Sequence, residues 1–370
     1  MKHAINTSLL PTLAGASAIF LLAGVIHINH AAAQSADWPA YNAETLQEDI
    51  LPRYQHFASE ASELADAGTA LCQKPDVQSL EQTRAAFRST LNAWQGISHI
   101  QFGPVTYLMR NYSIEFWPDR KSIGRKQLRA TLELPADTAF DDEFFHQASV
   151  SIKGLPALEQ LLYGPDALSR LQQETTYCRL TQAISGNIAD MANGIYQDWQ
   201  KNGEQLLAAS SDGGEDETSS ADIPAISTDL MKSLVEPIEL IRDTKLLAVM
   251  GKGPDATYPH RAENWMSEQS LASIRANLDA AHDMFTGSTA GLAQLLRQRG
   301  EPDMAKAIEQ QFQLIDDHLE PLGDSLTAAL DNHYEALKSI TDSLKVLDVL
   351  LNKAVQSLDI QLGFNSRDGD

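Results

Sequence analysis

The residues that could perform chemistry stand in short irregular stretches of the sequence, and the most distinctive of them is a lone acid. Glu159 ends the stretch Gly-Leu-Pro-Ala-Leu-Glu of residues 154–159 and enters an otherwise apolar helix. A buried carboxylate must be paired with a cation, protonated or bound to a metal ion. The alternative is that Glu159 faces solvent at a helix start, where the helix dipole favours a carboxylate.

A second candidate is the pair His260 and Glu263. Residues three apart share one face of a helix, so this pair has the spacing of metal ligands. The same spacing arises often by accident, and no further ligand is near in the sequence. The accidental pair is the favoured interpretation, and a metal bound there is the alternative.

Two further stretches break the helical pattern. Arg110 lies between Gln-Phe-Gly-Pro at 101–104 and Phe-Trp-Pro-Asp at 116–119, a composition that favours a rigid, shaped loop. The last eight residues read Gly-Phe-Asn-Ser-Arg-Asp-Gly-Asp, and the carboxylates of Asp368 and Asp370 around a glycine suit a hard cation or a tight cap. A loose acidic tail is the default alternative for a chain end.

Several enzyme classes lack their signatures in this sequence. There is no nucleophile elbow, phosphate-binding loop, dinucleotide fingerprint or His-Glu-x-x-His zinc motif. The 370 residues contain 28 Lys+Arg against 50 Asp+Glu, a net charge of −22. Such a field repels phosphate backbones, which argues against nucleic-acid binding, and it disfavours docking on anionic lipid.

The N-terminus predicts export. Lys2 precedes an apolar stretch at residues 9–28 and a small-residue site at 31–33, which is the layout of a signal peptide cleaved after Ala33. The alternative is an uncleaved membrane anchor. Lipid anchoring is not expected, because Val25 stands where a lipoprotein cysteine would be.

Export bears on the two cysteines. In an oxidising compartment such as the periplasm, Cys72 and Cys178 can form a disulfide. Two unrelated buried thiols are the alternative.

Helical periodicity dominates the rest of the chain. Apolar residues recur at steps of three and four, and alternating β-branched runs are nearly absent. We therefore predict an all-α protein of long helices packed as bundles. Pro52 is expected to kink the first helix or to move its start. The apolar stripes run through residues 46–64, 80–97, 168–199, 308–326 and 337–358.

One acidic segment divides the pattern. Residues 208–221 contain no large apolar side chain, which is typical of a linker. The expected organisation is a signal peptide at 1–33, an N-terminal helical bundle at 34–207, a linker at 208–224 and a C-terminal helical bundle at 225–370.

Taken together and in order, these motifs resemble the imelysin family of exported bacterial proteins. The resemblance covers essentially the whole mature chain. It implies a fold of two α-helical bundles and an association with metallopeptidase activity or iron uptake. It rests on Phe-Gly-Pro at 102–104, Trp-Pro-Asp at 117–119, residues 154–164, Asp-Thr-Lys-Leu at 243–246, Trp265 with Ser267 and Ser270, and the C-terminal residues 363–370.

The family hallmark Gly-x-His-x-x-Glu is altered in this chain. Gly154 and Glu159 match, but Pro156 stands in the position of the histidine and offers no ligand atom. A peptidase site built on that His–Glu pair therefore cannot be inferred for this chain. The resemblance instead implies a site around Glu159, lined by the segments of Trp117 and Asp368.

The sequence therefore favours a non-enzymatic periplasmic protein of iron or haem uptake. It would bind a small ligand or an uptake partner at the cleft between the bundles, with a divalent metal or iron as the cofactor, if there is one. A metallopeptidase with Glu159 and His260 at a metal, and a structural partner-binding module, are the alternatives. The expected ligand-binding residues are Glu159, Trp117, Arg110, Arg120, Lys245, Asp368 and Asp370.

A specific geometry follows from this hypothesis. An ionised Glu159 at the edge of a core needs a counter-charge, so at least one of Arg110, Arg120 and Lys245 should pair with it. Trp117 should form a wall of the site. The C-terminal residues should lie within its reach.

Overall fold

The structure is a computed structural model that describes residues 36–209, 225–287 and 289–362. In these residues helices are the regular secondary structure and no strand occurs, which confirms the all-α prediction. The expected signal peptide, almost all of the expected linker, and Asp368 and Asp370 lie outside the described residues. None of the helices that the structure describes has the length and hydropathy needed to cross a membrane.

Nine α-helices form the N-terminal half up to residue 209. A π-helical segment, Thr45–Ile50, joins the first two, and Pro52 lies in the first turn of the second, so the proline marks a helix start. Short 3₁₀ turns occur at Gly103–Met109 and Val150–Ile152. The helices are α1 Trp38–Glu44, α2 Leu51–Gln73, α3 Val77–Gln95, α4 Arg110–Ile114, α5 Ile123–Leu132, α6 Asp142–Gln147, α7 Leu155–Tyr163, α8 Ala167–Gln173 and α9 Thr175–Ala209.

Seven α-helices form the described part of the C-terminal half. A second π-helical segment, Leu240–Leu247, follows the first of them, and 3₁₀ turns occur at Pro254–Ala256, Pro259–Arg261 and Glu320–Leu322. The helices are α10 Ala225–Glu239, α11 Ala248–Met250, α12 Ser270–Thr286, α13 Leu292–Gln298, α14 Pro302–Leu319, α15 Leu326–Asn332 and α16 Tyr334–Ser357.

The predicted apolar stripes form the interior. In the N-terminal half α2 packs against α3 and α9, and in the C-terminal half α16 packs against α10 and α14. The buried apolar side chains of both halves belong to one continuous cluster, because α12 also packs on α3 and α10 on α1. The two halves therefore share an apolar seam, and polar residues on that seam are enclosed from both sides.

Local sequence signals set the ends of the helices that carry the site. α3 begins with a capping box, in which the backbone N–H of Ser79 donates to Asp76 Oδ1 at 2.9 Å and the N–H of Asp76 donates to Ser79 Oγ at 3.1 Å. α7 begins after Gly154, with Pro156 in its first turn, where a proline is tolerated. A Cβ at Gly154 would lie 2.2 Å from the carbonyl oxygens of Ser113 and Ile114, so glycine permits α7 to approach the end of α4.

Cys72 and Cys178, the two cysteines expected to pair, form a disulfide in the structure. Cys72 is near the end of α2 and Cys178 is in the first turn of α9, with their Cα atoms 5.5 Å apart. The bond fastens the two longest helices of the N-terminal half at one end.

Candidate functional site

A buried polar network lies on the seam between the two halves. The last turn of α3, the segment after α4, and α7 supply residues from the N-terminal half. The π-helical segment Leu240–Leu247, the loop at 262–269 and α12 supply residues from the C-terminal half. The two halves are thus joined here by hydrogen bonds as well as by apolar contacts.

Lys245 is the centre of this network. Its ammonium group donates to Gln95 Oε1 at 2.9 Å, to Glu263 Oε2 at 2.5 Å and to Asn277 Oδ1 at 2.7 Å. These bonds use all three of its N–H donors. The Lys245 side chain is only 4% exposed, so its charge depends on the carboxylate of Glu263.

Asn277 bridges the halves a second time. Its Nδ2 donates to the backbone oxygen of Gln95 at 2.8 Å and to the Gln95 side chain at 3.0 Å. Ser270 Oγ donates to the backbone oxygen of Glu263 at 2.5 Å and so fixes the loop that carries this acid. The hydrogen bonds of this network join side chains of both halves, and they hold the two halves in one relative position.

Glu115 adjoins this network. Its carboxyl group accepts hydrogen bonds from Trp94 Nε1 at 2.6 Å and from Gln95 Nε2 at 2.9 Å. Burial of the carboxyl, with the neighbouring charge of Glu263, raises the pKa of Glu115 to about 8, although the charge of Lys245 opposes the shift. Glu115 therefore holds a proton more readily than an ordinary glutamate does.

Glu159 approaches the same seam from α7. Its Oε1 accepts hydrogen bonds from the backbone N–H of Ser267 at 2.9 Å and from Ser267 Oγ at 2.6 Å. Glu159 is 6% exposed, so the solvent-facing alternative is wrong. Burial raises the pKa of Glu159 although both bonds from Ser267 favour the ionised form.

The predicted counter-charge for Glu159 is wrong. Arg110 instead forms an ion pair with Asp198 at 2.6 Å, and Lys245 forms an ion pair with Glu263. Arg120 is exposed and forms no ion pair with Glu159. The physical reason is that hydrogen-bond donors from Ser267 and a raised pKa accommodate the buried acid, so a cation is not required.

Trp117 follows Glu115 by two residues and is half-buried. Its peptide bond to Pro118 is cis. Asp119 then accepts hydrogen bonds from the backbone N–H groups of Ile123 at 2.7 Å and Gly124 at 2.8 Å, which fixes the start of α5. That Trp117 walls a ligand site stays a prediction.

His260 and Glu263 do not share a helix face. His260 is in the 3₁₀ turn Pro259–Arg261, Ala262 is extended, and Glu263 turns inward to Lys245. The imidazole of His260 is exposed and lies 4.3 Å from the ring of Trp265, centre to centre. Over the described ranges, no three His, Cys, Asp or Glu side chains converge as a metal site. A metal shared by Glu159 and His260 thus has no third protein ligand in these ranges.

Sequence reasoning missed half of this network. Gln95, Glu115, Asn277 and Ser267 were not among the expected site residues. A signal existed for Glu115, a single acid between Ile114 and Phe116, and for Asn277, a polar residue on the inner face of α12. Nothing in the sequence paired Ser267 with Glu159, because 108 residues separate them.

Comparison with known proteins places these features in context. The model of the family described as Imelysin matches residues 50–354. A curated relative, iron-regulated protein A of Synechococcus elongatus, is 24% identical over 274 residues, which cover 71% of this chain and 70% of that protein.

Two solved structures share the fold. The crystal structure of an imelysin-like protein from Psychrobacter arcticum superposes with a TM-score of 0.74 at 21% identity, covering 90% of this chain and 100% of the other. The structure of a putative iron-regulated protein A precursor from Parabacteroides distasonis gives 0.61 at 15% identity, covering 87% and 95%.

Proposed function

The chain belongs to the imelysin family, and on this premise we propose that it is an exported, non-enzymatic component of bacterial iron or haem uptake. It binds an iron-bearing ligand or an uptake partner at the seam between its two halves, in the periplasm. The names of two relatives, both iron-regulated protein A, support the link to iron. The observation that carries the proposal is the buried acidic network on the seam.

The acids of the seam support a ligand with positive character. Glu263 pairs with the buried Lys245, and burial raises the pKa values of Glu115 and Glu159. A buried acid of this kind holds a proton more readily than an exposed one and releases it to solvent when a cationic ligand binds beside it. Half-buried aromatic residues, Trp117 and Trp265, lie next to these acids in the sequence and offer an apolar edge for a flat ligand.

The side chains available as metal ligands near Glu159 do not support the peptidase alternative. Pro156 has no ligand atom at the position of the family histidine, and Glu159 is bound to Ser267. A zinc peptidase needs three protein ligands and an open position, and the described residues do not group three suitable side chains. We therefore assign Glu159 to ligand binding.

Direct titration tests this proposal. The processed protein is titrated with Fe(II), Fe(III), Zn(II) and haemin, and Glu159→Gln is compared with Glu204→Gln, the same change at an exposed position of α9. We expect saturable binding of iron or haemin, at least about tenfold weaker in Glu159→Gln and unchanged in Glu204→Gln.

A second measurement separates the alternatives. Metal-dependent cleavage of denatured casein, abolished by a chelator and by Glu159→Gln, would establish the peptidase. Failure to bind any of the four probes, with no cleavage, would favour the structural partner-binding module. Fractionation of the producing cell tests the periplasmic location.

A further inference from the structure

Five cationic side chains lie in α5 and in the three residues before it, in a chain whose net charge is −22. No acid lies between Asp119 and Glu133 to balance them. All five side chains are exposed, and among the residues that the structure describes none of them has an acidic partner within ion-pair distance. They are Arg120, Lys121, Arg125, Lys126 and Arg129, which we call the basic patch.

The basic patch does not serve the packing of α5. This helix buries Gly124, Leu128 and Thr131, spaced for one face, and carries the cations on the face toward solvent. Arg129 is favourable in the last turn of α5, but Arg125 and Lys126 near its N-terminus are unfavourable, because the helix dipole is positive there. Asp119 offsets part of that cost, but helix electrostatics give no reason for these cations. A partner with negative charge would supply one.

An exposed apolar loop adjoins this region of the chain. Tyr107, Leu108, Met109 and Tyr112 are 41%, 76%, 54% and 57% exposed, and we call them the apolar loop. Leu108 and Met109 have positive φ angles of 55° and 58°, which residues with side chains rarely adopt. The ion pair between Arg110 and Asp198, at 2.6 Å, anchors the loop while its apolar side chains remain in solvent.

The apolar loop and the basic patch adjoin the same 3₁₀ turn, Val150–Ile152. α4, which continues the loop, packs on this turn, and so does α5. A Cβ at Gly124 would lie 3.3 Å from the backbone oxygen of Ser151. The two features therefore lie on neighbouring elements of the N-terminal half, which we call the α4–α5 flank.

We propose that this flank binds the surface of an anionic phospholipid bilayer. The basic patch contacts the lipid headgroups, and the apolar loop enters the headgroup boundary, where tyrosine, leucine and methionine are favourable. Basic residues beside exposed apolar side chains are the combination that peripheral membrane binding requires. None of its nine side chains belongs to the hydrogen-bonded network of the seam, so the inference does not depend on the proposed ligand.

The net charge of the molecule does not prevent this contact. Salt at physiological strength screens charges over about 8 Å. A charge farther than this from the basic patch therefore acts on it only weakly. The net charge of −22 disfavours binding of anionic lipid by the average surface of the molecule, but this flank carries a local positive charge.

Vesicle co-sedimentation tests the proposal with the chain in its exported, processed form. Vesicles of phosphatidylglycerol and phosphatidylcholine are compared with pure phosphatidylcholine, at salt from about 0.05 M to about 0.5 M. We expect binding to the anionic vesicles that weakens as salt rises. Arg125→Glu with Lys126→Glu should weaken it at least tenfold. Leu108→Ser with Met109→Ser should weaken it at every salt concentration.

Lys338→Glu with Lys345→Glu, an equal change of charge at exposed positions of α16, is the matched control and should bind as the unchanged chain does. If circular dichroism shows that Arg125→Glu with Lys126→Glu does not fold, Arg125→Gln with Lys126→Gln replaces it. Equal binding to both vesicle types, equal loss in the α16 control, or binding of an acidic protein without any binding to vesicles would each overturn the proposal.

Discussion

Glu115 has a buried carboxyl whose protonation departs from ordinary behaviour. Its pKa in the folded chain is about 8, above the ordinary value of 4.5, because its carboxyl is buried beside Glu263. Between these two values the folded state holds a proton that the unfolded state has lost. The free energy of unfolding therefore falls as pH rises through this window, by an amount on the order of a few kcal/mol.

Glu115→Gln should remove much of that dependence. The amide stays neutral and keeps an oxygen that can accept from Trp94, so the variant should lose less stability between pH 6 and pH 9 than the unchanged chain. Thermal unfolding at a series of pH values measures the difference. Glu204→Gln, at an exposed position of α9, is the control, and parallel pH profiles for all three proteins would contradict the raised pKa of Glu115.

Lys245 supplies a second test at the residue scale. Lys245→Met leaves the buried carboxylate of Glu263 without its cation, which should lower the free energy of unfolding by about 3–5 kcal/mol. Adding Glu263→Gln to this variant should recover part of the loss, because the uncompensated charge is gone. Urea denaturation measures all variants, and strictly additive losses would show that the two groups are not coupled.

The sequence predicts individual residues of the site better than their partners. Glu159 could be identified as buried from its apolar neighbours, and Lys245 from its motif. Their bonds could not be predicted, because Ser267 and Gln95 come from chain segments more than 100 residues away. A cation seemed necessary for Glu159 only because hydrogen bonding by Ser267 was not foreseeable.

At the scale of elements, Gly154 controls how closely α7 approaches α4. Gly154→Ala would place a Cβ 2.2 Å from two backbone oxygens, which must move apart. We expect a loss of about 2–4 kcal/mol of stability and a displaced Glu159. Gly186→Ala is the matched control, since a Cβ there meets nothing within 4 Å and alanine favours the interior of α9 by about 0.5–1 kcal/mol. Equal effects of the two substitutions on chemical denaturation would contradict this role of Gly154.

The disulfide between α2 and α9 should stabilise the N-terminal half. It links residues 106 positions apart, and loop-closure entropy for such a loop corresponds to about 4–5 kcal/mol. Reduction, or Cys72→Ser with Cys178→Ser, should lower the melting temperature clearly. Alkylation followed by mass spectrometry establishes the bond itself, and two free thiols in exported protein would refute it.

Helix positions were predictable where apolar spacing is regular, as in α2, α3, α9, α14 and α16. The π-helical segments could not be predicted, because the change to i→i+5 backbone hydrogen bonds over a few residues does not visibly alter the spacing of the apolar residues. The segment Leu240–Leu247 matters most, since it carries Lys245 into the seam. The 3₁₀ turn at Pro259–Arg261 likewise moves His260 away from the helix face that its spacing suggested.

At the scale of the whole molecule, the continuous core predicts how the halves behave after cleavage. Residues 208–221 lack large apolar side chains, so limited proteolysis should cut there first. Because α3 packs on α12 and buried hydrogen bonds cross the seam, the two fragments should remain associated. Size-exclusion chromatography measures this, and separation of the fragments without denaturant would contradict a shared core.

The most direct test of the seam as the ligand site is hydrogen–deuterium exchange with and without saturating iron or haemin. Ligand binding should slow exchange in peptides that cover Glu115 to Trp117, the helix α7 and the loop at 262–269. At the lowest ligand concentration that saturates the unchanged chain, Glu159→Gln should clearly reduce this protection. Glu204→Gln should retain it. Protection confined to other helices, or unchanged exchange at the seam under saturation, would contradict the proposed site.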